Sequence, residues 1–447
     1  MSRFIEIKQG IGWRYIGKEI VAFNCKNQKI VVWNKTATHL WFMISKKASF
    51  NQLINWLVNE YSIRLEQAQR DALNFLQEAV SIDLIDFSFP KIKSIYKQDF
   101  SDDKDGENTL SEIEMNAIKH LVPFAITFET TYNCNERCVH CYMDKNIPAL
   151  NLHEIKRILN EIANEGCLFV SFTGGEFFAR PDSLEIIRYA SELKFIIDIL
   201  SNGTLINKEI ADSLSVHNVR RVQISLYGAT SETHDSITRL KNSFQKTIRG
   251  IKFLRNNGVK VEIAFLMMKQ NFHERYIVKD LAKSLDCLFL PSYIVTARNN
   301  GSKDTHSLRL TDKQLQEFLE DKSLSDLYVG RKPFETHQLY FRFSNLLNAA
   351  PCYSGFNTCA ITPQGKILPC NQLLYESGDL RQNNFSEIWH NSPQLRYLRN
   401  LKINGLKQCA NCKLLSSCAR CPGLALHENN DLLGISQENC RTTNILK

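Results

Sequence analysis

Three cysteines fall within one short run, Tyr132–Asn133–Cys134–Asn135–Glu136–Arg137–Cys138–Val139–His140–Cys141–Tyr142. Three thiolates on one tight loop can hold three irons of a [4Fe–4S] cube and leave the fourth iron open to an external ligand. Zinc held by the same cysteines and His140 is the alternative, although His140 is squeezed between two ligands. A second set crowds the C-terminal part: Cys352, Cys359, Cys370, Cys409, Cys412, Cys418, Cys421 and Cys440. Eight thiolates suffice for two fully coordinated four-iron clusters, but Cys-x-x-Cys pairs suit zinc equally well. Cys25, Cys167 and Cys287 stand alone. Without a secretory signal, 14 cysteines in 447 residues point to metal or redox chemistry rather than a disulfide framework.

The elements that must position these cysteines can be read from periodicity. Residues 123–335 alternate strand and helix, with strands ending near Phe128, Phe172, Leu200, Leu226, Met267 and Pro291. Such alternation predicts an α/β fold with a parallel sheet, and six units predict a partial (β/α)6 barrel of TIM type. The first cysteine run follows the first of these strands directly, on the face where barrel active sites lie. Residues 1–88 predict a small α+β unit. It has strands at 20–24 and 29–33, a helix starting near Thr36 as N-cap, a second after Ser49 and a third from Leu65 to Val80. Residues 89–122 form a polar linker with a short helix at Leu110–His120, and residues 345–447 are loop-rich and need metal to fold.

Composition narrows the function. With 43% apolar and 23% charged residues, a disordered or fibrous chain is excluded. No apolar run is long enough to cross a membrane, and a cytoplasmic protein is expected. The net charge of +8 is spread along the chain; no nucleic-acid interface is expected.

The first cysteine run resembles the signature of the radical S-adenosylmethionine (SAM) superfamily, CxxxCxΦC, with His140 at the usually aromatic position Φ. Four further segments at strand ends share the resemblance. Phe172–Thr173–Gly174–Gly175–Glu176 is similar to the GGE motif that holds the SAM amino group. Two glycines let backbone approach a ligand, and a carboxylate pairs with an ammonium. Ser201–Asn202–Gly203 and the segment ending Ser225–Leu226–Tyr227 are similar to the strand ends that contact the SAM ribose and carboxylate. His234–Asp235–Ser236–Ile237–Thr238–Arg239 is similar to the segment whose basic residue meets that carboxylate, which makes Arg239 its candidate partner. The resemblance implies a [4Fe–4S] cluster that reductively cleaves SAM to a 5′-deoxyadenosyl radical, which then removes a hydrogen atom from substrate. It names no side chain as catalytic acid or base.

The C-terminal cysteines resemble the SPASM domain, which binds auxiliary [4Fe–4S] clusters. The resemblance implies one cluster on Cys352, Cys359, Cys370 and Cys421 and another on Cys409, Cys412, Cys418 and Cys440. Residues 1–88, with Asn34–Lys35–Thr36–Ala37 followed by Leu40–Trp41, resemble the PqqD family of peptide-recognition domains, winged-helix-like units that bind a leader peptide as an added strand. The expected edge is Lys29–Trp33.

Together these resemblances imply a maturase of a ribosomally synthesised precursor peptide, similar in layout to the subtilosin-type, thioether-forming (sactipeptide) maturases. It would act by hydrogen-atom abstraction and oxidative crosslinking, through sulfur or carbon, with a flavodoxin or ferredoxin as electron donor. Peptide epimerisation, or maturation of another protein or a small molecule, is the alternative. Epimerisation needs a thiol donor near the substrate, and Cys25, Cys167 and Cys287 are expected far from it.

Overall fold

The computed structural model describes residues 5–87, 106–143, 147–328, 346–406 and 408–445. The chain starts with β1 (Glu6–Ile7), β2 (Ile11–Ile16), β3 (Glu19–Asn24) and β4 (Ile30–Trp33). Helices α1 (Lys35–Ser45), α2 (Phe50–Tyr61) and α3 (Leu65–Ser81) follow, and β5 (Ile85–Asp86) pairs back to β1. Asn34, not Thr36, caps α1: its side chain accepts from the Ala37 amide at 3.0 Å. Ser49 and Gln52 form a capping box on α2.

Strands β2, β3 and β4 form one antiparallel sheet in that order. Alternation sends Ile11, Ile20, Ala22 and Trp33 towards Trp41, Leu53, Leu57 and Leu76 on the three helices. The opposite face carries Ile16, Val21 and Phe23, and it is buried too, against Phe169 and Ile196 of the large sheet and against Ile113 and Ala117 of α4 (Gly106–His120). The segment expected as linker therefore holds a packed helix; residues 88–105 lie outside the described residues. A sheet buried on both faces is fixed in place rather than tethered.

The large sheet contains β6 (Ala125–Thr131), β7 (Phe169–Gly174), β8 (Ile196–Ser201), β9 (Val219–Ser225), β10 (Val261–Leu266) and β11 (Leu288–Ser292), all parallel. Helices between them include α5 (Leu152–Asn164), α6 (Ser183–Glu192), α7 (Lys208–Ser215), α8 (Ser231–Thr238), α9 (Ser243–Asn256) and α10 (Arg275–Ser284). Ile126, Phe128, Val170, Phe172, Ile197, Ile199, Val222, Ile224 and Ile263 join the core beneath the helices. Their alternates Glu129, Asp198, Arg221, Gln223 and Glu262 lie on the inner face of the barrel. There Arg221 bridges Asp198 and Glu262 across three strands.

The C-terminal region adds more regular structure than a loop-rich sequence suggests. Strand β12 (Thr358–Ile361) pairs parallel to β6, and β13 (Lys366–Leu368) and β14 (Gly378–Asp379) continue the sheet, giving the order β11-β10-β9-β8-β7-β6-β12-β13-β14. The barrel is thus open between β11 and the added strands. Beneath it, the Trp13 amide donates to the Lys194 carbonyl, Asn218 Nδ2 donates to the Ile11 carbonyl, and Arg14 stacks on Phe195 at 4.5 Å. The N-terminal unit therefore docks at the N-terminal ends of β7–β9, opposite the end where the first cysteine loop emerges.

Candidate active site

The run Tyr132–Tyr142 leaves the end of β6 and is fastened on several sides. The Arg137 amide donates to the Thr238 carbonyl and the Val139 amide to Ile237, each at 3.0 Å, so the loop lies along the end of α8. Asn202, at the end of β8, donates to Asn135 Oδ1 at 2.9 Å and towards Cys134 Sγ at 3.8 Å. The Glu136 amide points at Cys134 Sγ at 3.4 Å. None of the 14 cysteines forms a disulfide. Among the described residues no three His, Cys, Asp or Glu side chains converge as on a single ion.

Gly174, the last residue of β7, and Gly175 after it have a physical role that the sequence did not disclose. Gly174 has φ +140°, and a Cβ there would lie 2.0 Å from the Thr131 carbonyl oxygen; one on Gly175 would lie 2.4 Å from that of Asn133. The Gly175 amide donates to Thr131 and the Glu176 amide to Asn133. These glycines admit the root of the cysteine loop itself.

Glu176 is fully buried. Its carboxylate accepts from the Ser201 hydroxyl at 2.9 Å, the Asn202 amide at 2.7 Å and the Phe178 amide at 3.0 Å. These bonds lock the end of β8, and through Asn202 they reach Cys134; the carboxylate acts here as an organiser of the site. Burial, the dominant influence, raises its pKa, against the pull of those donors. Ser225 ends β9, two residues before Tyr227. Arg239 is exposed, follows α8 in the left-handed conformation at φ 55°, and leaves its guanidinium available for a carboxylate. Asp235 sets that turn by accepting from Asn242, Ser243 and Phe244.

His140 packs edge-on against Tyr227, with Nε2 3.2 Å from the phenol oxygen. Burial holds its pKa down to about 4, so the ring is neutral at physiological pH. Its Nδ1 is buried without a partner. Three thiols on one loop, an orphaned imidazole nitrogen beside them and an open guanidinium fit a four-iron cluster carrying SAM.

Sequence reading missed two features of this site. Glu129, inward on β6, accepts from Tyr132 at 2.8 Å and Tyr142 at 3.2 Å; a lone carboxylate among apolar strand residues was its signal. Arg298 donates to carbonyls of the cysteine loop from beyond β11, and nothing in its polar neighbourhood marks it.

The C-terminal cysteines fall into two groups and one exception. Cys352, Cys370 and Cys421 line a cavity of about 400 Å³ shared with Arg221, Gln223 and Ser292 of the barrel interior. Cys409, Cys412, Cys418 and Cys440 form the second group: burial first, and then the nearby Cys409 and Cys412, raise the thiol pKa of both Cys418 and Cys440. Arg420, 5% exposed, lies between the groups, bonding the carbonyls of Leu432 and Gly434. Cys359 corrects the expected ligand set. It sits on β12 opposite Ile126, 3% exposed, and faces the core beneath the helices rather than the cavity. Burial pushes its thiol pKa well up. Cys167, fully buried before β7, and Cys25 and Cys287 lie towards the N-terminal ends of the strands, away from the first loop.

Comparison with known proteins agrees with this geometry. Residues 128–282 match the radical SAM superfamily, residues 352–422 an iron-sulfur cluster-binding domain (SPASM), and residues 19–85 coenzyme PQQ synthesis protein D (PqqD). An AdoMet-dependent heme synthase of Methanosarcina barkeri is 29% identical over 334 residues, covering 70% of this chain and 94% of that protein. The antilisterial bacteriocin subtilosin biosynthesis protein AlbA of Bacillus subtilis is 28% identical over 284 residues, covering 62% of this chain and 61% of that one. Among solved structures, Streptococcus suis SuiB bound to precursor peptide SuiA superposes with a TM-score of 0.61 at 18% identity, over 98% of this chain and 99% of that chain. At that identity the likeness establishes the fold.

Proposed function

From a chain that carries PqqD, radical SAM and SPASM domains and is a radical SAM enzyme of [4Fe–4S] and SAM chemistry, we propose a maturase that crosslinks a ribosomally synthesised precursor peptide. When bound, the cluster with SAM supplies the radical that removes a substrate hydrogen. Cys134, Cys138 and Cys141 would hold that cluster. His140, Ser201, Asn202, Ser225 and Arg239 would surround SAM, with Gly174, Gly175 and Glu176 fixing the loop and strand end that present it. Cys352, Cys370 and Cys421 would hold one auxiliary cluster at the barrel's open side, and Cys409, Cys412, Cys418 and Cys440 the other. We keep the expected limits of the radical SAM core (123–335) and the SPASM domain (345–447) as part of this proposal, and assign α4 to the docked N-terminal unit rather than to a linker. A flavodoxin or ferredoxin would deliver the electron.

The observation that carries the peptide reading is the outer edge of β4. No described strand pairs with it. The Asn24 amide bonds the Lys29 carbonyl, so by antiparallel alternation Ile30 and Val32 turn their amides and carbonyls outward. That edge is a template for an added strand. The relatives named for precursor peptides or a bacteriocin support the same reading.

Oxidative crosslinking is favoured over epimerisation because no thiol outside the cluster sets faces the barrel interior. Cys359 is behind the sheet and the isolated cysteines are at the other end. The test is co-expression with candidate precursor peptides encoded beside the gene, read by product mass. Loss of a hydrogen pair per link supports crosslinking, and an unchanged mass with altered stereochemistry supports epimerisation. Val32→Pro removes an outward amide; modification should fall sharply while SAM cleavage without peptide persists. The length of the heme synthase match favours a second reading, a small-molecule substrate, under which Val32→Pro leaves turnover unchanged.

A further inference from the structure

The turn beyond β11 reaches back to the cysteine loop. Arg298 Nη1 donates to the Cys141 carbonyl at 2.6 Å and Nη2 to the Val139 carbonyl at 3.4 Å. The next residue, Asn299, donates its amide to the Tyr142 carbonyl at 2.8 Å. The guanidinium is itself anchored: Nε and Nη2 meet the two carboxylate oxygens of Asp304 at 2.8 and 2.9 Å, and Ser302 donates to Asp304 at 2.9 Å. The turn closes on itself, with the Arg298 amide donating to Ser302 and the Gly301 amide to Arg298. A planar fork with fixed donors suits this bridging, and a single ammonium cannot span both carbonyls and the carboxylate.

The two carbonyls belong to the residues on either side of His140. We propose that Arg298 is a positioning residue for the cluster loop: it fixes the backbone on both sides of His140 and so sets where that ring meets SAM. The proposal rests on the radical SAM assignment and not on the nature of the substrate. Arg298 acts here through the backbone of the loop, so its effect should appear in binding and spectroscopy before turnover.

The test uses the full chain, reconstituted with iron and sulfide under anaerobic conditions. The readouts are the change in the reduced cluster's electron paramagnetic resonance spectrum on titrating SAM, and the rate of iron loss to a chelator. Arg298→Ala should need roughly tenfold more SAM for the same spectral change, as expected for losing charge-assisted bonds. It should also release the first cluster's iron faster. Arg298→Lys should fall between, and Asp304→Asn, which keeps the guanidinium but loosens its anchor, should show the smallest shift. Wild-type titration and iron release in Arg298→Ala would overturn the proposal. If that variant fails to fold, Arg298→Lys decides: a SAM titration superimposable on wild type overturns it.

Discussion

The first cysteine loop and the C-terminal cysteine region carry the same ligand type but are held differently. The first is stitched to elements that fold without it. Ile237 and Thr238 at the end of α8, Asn202 after β8 and the glycines at the end of β7 all bond or pack against it. The turn that carries Cys409 and Cys412 has little of this. Its apolar support is a small cluster of Ala349, Ile403 and Leu406 with partly buried neighbours, and Cys412 is exposed. Where the barrel supplies the scaffold, the thiols are preorganised for metal. Where it does not, bound metal has to supply the folding free energy.

This contrast can be broken most severely at the first loop. Cys141→Ala should abolish 5′-deoxyadenosine formation while circular dichroism and melting temperature stay near wild type, because the loop's backbone contacts survive. Gly174→Ala should do more structural damage than the loss of a ligand. Its Cβ meets a carbonyl at 2.0 Å with φ +140°, and a cost of roughly 3 kcal/mol or more, read by denaturant unfolding, is expected. Stripping iron with a chelator, or the pair Cys418→Ser and Cys440→Ser, should open the chain beyond residue 402 to limited proteolysis while the barrel resists. Equal resistance in both regions would erase the proposed difference. The smallest effect sharpens the ligand assignment: Cys359→Ala should leave the iron content unchanged and cost about 1 kcal/mol of stability from lost core packing.

Much of the barrel was legible because βα units announce themselves: Phe172 and Leu200 fall inside β7 and β8, and the first cysteine run emerges after Thr131. The first loop was legible for a related reason, that its chemistry sits in consecutive residues. Strand β2 was not, since Gly12 and Arg14 break its apolar pattern, although the docked sheet needs it. Strand β12 was hidden by the cysteine pattern around it. Spacing made Cys359 look like a ligand, but the alternation of Thr358, Cys359 and Ala360 turns the thiol to the helix side. Glu176 and the glycines were read as ligand contacts. The structure adds that Glu176 bonds the end of β8 and that the glycines admit the cysteine loop, contacts made by neighbours far away in sequence. Arg298 could not be found from sequence at all, because its meaning lies in carbonyls more than a hundred residues upstream.

The docking of the N-terminal sheet beneath β7–β9 also sets a ruler. Under the proposed function, a peptide held on β4 would start at the floor of the barrel, whereas the first cysteine loop is at its mouth. The strands between are six or seven residues long, a rise of roughly 20 Å at about 3.3 Å per residue. Even fully extended, a substrate spends at least about six residues climbing that wall. In such a maturase, positions closer to the captured segment than this would be out of reach whatever their chemistry, so tether length would select the modified residue before any side chain is recognised.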